Sequence, residues 1–316
     1  MKFIKSTRHR SSAEKRKSSN LFTVCESSAS LQEHQHEVGN SSEENVKFSP
    51  LFFKMEEIEC LNRLQAYCRS KKLRVTNQMI YRFAIFHGFN VNRASRAIAK
   101  KYDHPYMNFR LEDELAQYIR KTLTLFPVPG LKSAIGSDVI YWHPSRYQPS
   151  ASSNRLLVEN MCFLLNDMNQ TIDQCRNGIL LLVNMDGYKM KNFHRDTQMR
   201  LTKITEGQVI PASIVQILIV NPPPFFERIW KIVRPAFSAL FSRRIKLIPC
   251  DKLGNYLMEG YEEYLPDDFD IDGRNALELV ENWLDVKTKE EQLRTTTAPL
   301  AECPTERCEQ PLSTSP

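Results

Sequence analysis

The chain has 316 residues, 41% of them hydrophobic, and a formal net charge of +6 at pH 7. This length fits one large domain or two small ones. No run of about 18 or more apolar residues occurs, so no membrane-spanning helix is expected. No repeat with a period of about 20–50 residues is visible, which disfavours a solenoid or a propeller.

Both ends of the chain have the composition of unfolded segments. Residues 1–50 are rich in Ser, Lys and Glu, and residues 291–316 are rich in Thr, Pro and Ser. Such segments bury too little apolar surface to offset the entropy lost on ordering, so we predict two disordered tails with these bounds. The first 17 residues hold seven Lys or Arg against one acid. They are either a solvated tail or a tether for anionic lipid.

Charge elsewhere argues against a nucleic-acid partner. Residues 269–316 contain ten acids and five Lys or Arg, so the chain is not uniformly basic. The eight cysteines form no Cys-x-x-Cys pair, and the basic start lacks the apolar run of a secretion signal. We therefore expect reduced cysteines, a cytoplasmic location, a monomer, and neither metal nor cofactor.

Residues 51–125 show apolar side chains at helical spacing and are expected to form a small all-helical subdomain. The expected helices lie near residues 55–68, 76–88, 90–105 and 111–123, with Pro127 and Pro129 closing the last.

Residues 126–290 alternate strand and helix patterns. The expected strands are 138–142, 178–185, 213–221 and 244–249, and the expected helices are 156–168, 196–207, 225–242 and 252–263. Alternation of this kind predicts an α/β fold with a mostly parallel sheet.

The helix expected over residues 225–242, the gate segment, is the most informative stretch. Its aromatic and aliphatic side chains recur every three or four residues, and basic side chains occupy the other side. Pro235 must kink it. Such a helix either packs on a sheet as ordinary core or covers a cavity and touches an anionic bilayer.

Four segments in order carry a resemblance to a known family. They are SDVIYWHPSRY at 137–147, GILLLVNMDG at 178–187, VQILIVNPPPFFERIWKIVRPAF at 215–237, and residues 244–269, which begin RIKLIP. This succession resembles the CRAL-TRIO lipid-binding domain, and residues 55–105 resemble the family's N-terminal helical subdomain. The resemblance implies an α/β fold whose mostly parallel sheet is a floor covered by helices, including an amphipathic gate helix.

The function implied by the resemblance is binding and transfer of a hydrophobic lipid, a phospholipid or an isoprenoid, between membranes. The alternative is a protein-interaction or signalling module that uses the same fold without transferring lipid. Because side chains alternate along a strand, the side chains of Val215, Ile217 and Ile219 are expected to point toward the gate segment. The candidate lipid-binding residues are Tyr141, Val215, Ile217, Ile219, Phe225, Ile229, Val233 and Phe237. The candidate membrane-docking residues are Arg228, Lys231, Arg234, Arg243 and Arg244.

Enzyme signatures are sparse, and we expect no catalytic residues. The sequence contains no nucleophile elbow, no dinucleotide or P-loop fingerprint and no zinc-protease motif. The run from Asp268 to Gly273 matches the first half of a calcium loop, but Leu279 stands where a bidentate carboxylate is required. A solvated acidic turn is the expectation there.

Overall fold

The computed structural model describes residues 48–269 and 273–297. Most of the two predicted tails, residues 1–47 and 298–316, therefore lies outside the described part. Within the described part, no helix is both long enough and apolar enough to cross a membrane.

Four helices open the described chain, as the periodicity predicts: α1 (Met55–Ser70), α2 (Asn77–Phe86), α3 (Val91–Lys101) and α4 (Asp113–Thr122). The side chain of Thr76 caps α2 by accepting the N–H of Met79, and that of Asn90 caps α3 by accepting the N–H of Arg93. Helices α1 to α3 share one hydrophobic core, whereas α4 packs into the larger core of the α/β part.

Five strands form one sheet in chain order: β1 (Leu125–Lys132), β2 (Asp138–Trp142), β3 (Ile179–Asn184), β4 (Ile214–Val220) and β5 (Ile245–Leu247). Strands β2 to β5 are parallel, and β1 pairs with β2 in the antiparallel direction. The mostly parallel sheet predicted from the sequence is confirmed.

Strand β1 was not foreseen, because Pro127 and Pro129 favour the end of a helix. Proline cannot donate a ladder hydrogen bond, and it is tolerated in a strand at the edge of a sheet. Strand β1 is such an edge strand, and its pairing with β2 shifts register between Pro127 and Lys132.

The helices that connect parallel strands lie on one face of the sheet. This follows from the strand order, because neighbouring parallel strands that are consecutive in sequence are joined by right-handed crossovers, which all place their helices on the same face. The crossover helices are α5 (Ala151–Asp167), α6 (Ile172–Asn177), α7 (Arg195–Thr205), α8 (Phe226–Val233) and α9 (Ala239–Ser242). Helix α5 packs against α7, and α7 packs against α8.

The segment after β5 differs from expectation. No α-helix forms over residues 252–263; two short 3₁₀ turns, Cys250–Asn255 and Tyr261–Glu263, take its place. A final helix, α10 (Ala276–Thr297), extends seven residues past the expected end of the folded body at 290. It is anchored by Trp283, whose ring centroid lies 5.9 Å from that of Phe163, and by an ion pair of 2.8 Å between Lys287 and Asp167.

Candidate functional site

The face of the sheet that carries the crossover helices has an apolar centre. Parallel pairing aligns Ile217 of β4 with Leu181 of β3 and Ile245 of β5, and it aligns Ile219 with Val183. Because side chains alternate along a strand, these five point to the same side of the sheet. They form the floor of a cavity.

The cavity has a volume of about 100 Å³. Its walls come from β2 to β5, from α7 and from the gate segment. The lining side chains are Trp142, Pro144, Leu181, Val183, Met185, Tyr188, Gln198, Leu201, Thr202, Thr205, Ile217, Ile219, Phe226, Ile229, Trp230, Val233, Phe237 and Ile245. The polar groups among these side chains are the amide of Gln198, the hydroxyls of Tyr188, Thr202 and Thr205 and the indole N–H groups of Trp142 and Trp230. The other lining side chains are apolar, so the site suits a mainly apolar ligand.

The gate segment covers the cavity as a broken helix. Helix α8 ends at Val233, a 3₁₀ turn spans Arg234–Ala236, and α9 begins at Ala239. The kink predicted at Pro235 is thus a full interruption, because Pro235 has no N–H to donate and Phe237 is extended. An aromatic row follows the segment, with ring centroids 6.3, 5.9 and 5.4 Å apart along Phe226, Trp230, Phe237 and Phe241.

Five of the eight candidate lipid-binding residues line the cavity: Ile217, Ile219, Ile229, Val233 and Phe237. Val215 does not, because the β3–β4 register shifts at this point: Ile179 pairs with Ile214, and Leu180 pairs with Gln216. Val215 is the extra residue of this irregularity, which breaks the alternation assumed from the sequence. Phe225 also lies outside the lining and stacks on Tyr188, with the ring centroids 6.2 Å apart.

Tyr141 lies on the opposite face of the sheet, away from the cavity. Successive side chains of a strand point to opposite faces, and the next residue, Trp142, lines the cavity. The hydroxyl of Tyr141 donates to Asp268 Oδ2 at 2.9 Å. Burial and the neighbouring Asp268 carboxylate raise the pKa of Tyr141. Arg146 donates to Asp268 Oδ1 at 2.5 Å. The solvated acidic turn expected at Asp268 is therefore wrong for that residue, whose carboxylate joins a half-buried network; residues 270–272 of the run lie outside the described part.

Helix α7 supplies lining residues that the sequence analysis overlooked. Gln198, Leu201, Thr202 and Thr205 recur at three- and four-residue intervals, so they share one helix face. That spacing is visible in the sequence, but three of the four side chains are polar, so the helix face does not form the apolar stripe that indicates a buried surface.

All five candidate docking residues are exposed. Arg244 differs from the others, because its Nη1 donates to the backbone oxygen of Ile214 at 2.7 Å and its guanidinium lies 5.8 Å from the ring centroid of Phe241. Two apolar side chains on the gate segment are exposed as well, Ile232 by 41% and Leu240 by 73%. The outer surface of the gate segment is therefore both basic and apolar.

Polar groups also meet directly after strand β2. His143 Nδ1 lies 2.8 Å from Ser145 Oγ, and burial, with Arg146 nearby, lowers the pKa of His143. Within the described ranges, no group of three or more His, Cys, Asp or Glu side chains is placed to hold a metal ion.

Comparison with known proteins identifies a matching family model. The CRAL/TRIO domain model matches residues 134–270. The chain is 21% identical over 173 residues to the tyrosine-protein phosphatase non-receptor type 9 of mouse and of human, and the match covers 55% of this chain and 28% of those proteins. The solved structure of Sfh5 covers 75% of this chain and 99% of its own, with 10% identity and a TM-score of 0.46. The resemblance to the CRAL-TRIO family is confirmed, and residues 134–270 carry a CRAL/TRIO domain.

Proposed function

We propose that the protein binds one lipid molecule in the cavity beneath the gate segment and carries it between membrane surfaces. The observation that supports this most is the pairing of an apolar cavity with a lid whose outer face is basic and apolar. An inner apolar face suits the lipid, and an outer face of this kind suits an anionic bilayer. In this proposal the protein does no chemistry on the lipid and works as a monomer, peripheral to cytoplasmic membrane surfaces.

Uptake requires the gate segment to move outward. The cavity of about 100 Å³ is smaller than the roughly 150 Å³ cavity that suffices for benzene. The interruption at Arg234–Ala236 gives the segment a place to bend. Lids of this type commonly open on microsecond to millisecond timescales.

Membrane contact would supply the force that opens the gate. Each basic residue near an anionic surface contributes about 1 kcal/mol of attraction. Arg228, Lys231, Arg234 and Arg243 are exposed and face solvent. Burial of Ile232 and Leu240 in the interface would add a hydrophobic contribution.

The alternative is a protein-interaction or signalling module. The similarity to tyrosine phosphatases favours this alternative, because the matched region makes up only 28% of each of those proteins. In such a protein the CRAL/TRIO region would be one part of a larger assembly. The modest cavity volume is also compatible with a module that carries no lipid.

A vesicle transfer assay separates the two candidates. Donor vesicles would hold self-quenched pyrene-labelled phosphatidylcholine, and acceptor vesicles would hold none. Lipid transfer predicts a rise in monomer fluorescence whose rate scales with protein concentration. A rate that stays at the protein-free level, with no lipid adduct in the native mass spectrum, would favour the interaction module instead.

A further inference from the structure

A second concave feature lies on the outside of the gate segment. It is an open groove of about 600 Å³ formed where the helix is interrupted. Its lining residues are Arg234, Pro235, Phe237, Ala239, Ser242 and Arg243. The set contains two guanidinium groups and no acid.

The two arginines have no partner in the described part of the chain. Arg234 and Arg243 are exposed, and neither side chain forms an ion pair or a hydrogen bond with another described residue. Arg244, the next residue, contrasts with them because its guanidinium is bound to the backbone of β4. The groove therefore presents two uncommitted cations.

Phe237 lies between the groove and the cavity. Phe237 lines both of them, its ring stacks on that of Phe241, and its centroid lies 5.9 Å from that of Trp230. Rotation of this one ring would therefore open a path between a cationic groove and an apolar chamber. Such an arrangement fits an amphiphile with a negatively charged head and an apolar tail.

We propose that the groove is the headgroup portal of this protein, and that it receives the phosphate of a glycerophospholipid whose acyl chain passes Phe237 into the cavity. This inference rests on the proposed function and narrows its ligand class from any hydrophobic lipid to a phospholipid. Guanidinium groups form paired, charge-assisted hydrogen bonds with phosphate oxygens. A neutral isoprenoid alcohol would leave both arginines without a counter-charge and would gain little from them.

The test compares two lipids with the same acyl chains, dioleoyl phosphatidylglycerol and dioleoylglycerol. The full chain is incubated with vesicles of digalactosyldiacylglycerol, a neutral bilayer lipid without phosphate, that contain both at equal mole fraction, and bound lipid is quantified by native mass spectrometry. The proposal predicts that the phosphate-bearing lipid is taken up preferentially, by about tenfold or more. Equal uptake of both lipids would overturn it.

Paired variants assign the preference to the groove. The double variant Arg234→Gln/Arg243→Gln should reduce the preference to within about threefold, because both charged donors are lost. The double variant Arg69→Gln/Lys71→Gln removes the same charge from exposed positions at the end of α1, outside the groove and the gate segment, and it should keep the preference. A groove variant that keeps the full preference would overturn the proposal.

Two further outcomes separate the sources of failure. If the protein takes up neither lipid, the proposed function itself fails. Soluble glycerol 3-phosphate serves as the probe for phosphate alone, and the proposal predicts no displacement of bound lipid at equal concentration. Displacement of the lipid by this probe would make the groove a site for free phosphate compounds and would overturn its role as a portal.

Discussion

The carboxylate of Glu206 holds the gate segment at Ser238. Glu206 Oε1 accepts the backbone N–H of Ser238 at 2.6 Å, and its Oε2 accepts from Gln208 Nε2 at 3.0 Å. Ser238 directly precedes α9, the second helical piece of the gate segment, and caps it. One carboxylate at the end of α7 therefore ties the interrupted part of the gate segment to α7.

The same turn also contacts the N-terminal helices. Lys101 Nζ donates to the backbone oxygen of Gly207 at 2.9 Å. Gly207 has a φ of +74°, and a Cβ at this position would lie 2.1 Å from the ring of Phe86. Residues 206–208 therefore connect α2 and α3 to the gate segment, and a substitution at Gly207 would disturb both.

Replacement of Glu206 by Gln should loosen the gate segment without unfolding the protein. A charge-assisted hydrogen bond is roughly twice as strong as a neutral one. We expect faster amide hydrogen exchange over residues 234–242 and little change in thermal midpoint. The control is Glu227→Gln, an exposed acid on α8 with no partner among the described side chains. Equal exchange rates in both variants would show that Glu206 does not restrain the gate.

Ile217→Trp should fill the cavity from its floor. Ile217 lines the cavity, whereas the neighbouring Leu218 is fully buried on the opposite face of β4. We expect Ile217→Trp to reduce bound lipid severalfold with a small change in midpoint. The matched variant Leu218→Trp overpacks the core and should cost about 1–3 kcal/mol of unfolding free energy. The reverse pattern would show that the two faces of β4 are assigned the wrong way round.

The triple change Arg228→Glu, Lys231→Glu and Arg234→Glu should weaken binding to phosphatidylserine vesicles at low salt. The loss should fade at high salt, since the Debye length falls from about 10 Å at 0.1 M to about 3 Å at 1 M. Cosedimentation at both salt concentrations measures this. The control triple variant, Arg69→Glu, Lys71→Glu and Lys72→Glu, changes exposed residues at and after the end of α1. If only the control loses binding, the membrane contact lies on the N-terminal helices.

Tyr141→Phe tests the placement of Tyr141 outside the cavity. The change removes the hydrogen bond to Asp268, while the Arg146–Asp268 ion pair remains. We expect a loss of about 1 kcal/mol in unfolding free energy, measured by chemical denaturation, and unchanged lipid uptake. A large loss of lipid uptake at unchanged stability would show that Tyr141 contacts the bound lipid.

His143 should make the protein sensitive to acid. Burial and the nearby Arg146 lower its pKa below the ordinary 6.5, although Asp268 and Asp186 oppose the shift. The unfolded state thus binds a proton more readily than the folded state, and stability falls as the pH drops from 6.5 through the folded-state pKa. In His143→Gln the slope of unfolding free energy against pH should be shallower in this range and unchanged above pH 7. An identical acid slope in the variant would assign the sensitivity to other groups.

Much of the fold can be predicted from the sequence, because local signals and tertiary packing agree. Helices form near residues 76–88 and 90–105 as expected, capped by Thr76 and Asn90, and the fully apolar run of β3 is buried along its whole length. Strand β1 and helix α10 were missed for physical reasons. Two prolines obscure an edge strand, and α10 exposes Leu277 and Val286 among its charges, which blurs its periodicity.

The site was harder to predict than the fold. Alternation identifies Ile217 and Ile219 correctly as lining residues, but a register shift set by pairing with β3 removes Val215 from the lining. Side chains such as Tyr188 and Trp142 join the cavity only through the packing of distant segments, and no local pattern marks them.

The central claim is that a lipid chain lies in the cavity under the gate segment, and tryptophan quenching tests it most directly. Of the three tryptophans, Trp142 and Trp230 line the cavity and Trp283 packs on α5. Protein loaded with phosphatidylcholine that carries brominated acyl chains should show strong quenching in Trp283→Phe, which keeps the two cavity tryptophans. The double variant Trp142→Phe/Trp230→Phe, which keeps only Trp283, should stay bright at equal lipid loading. Quenching of Trp283 alone, with the cavity tryptophans bright, would contradict the account.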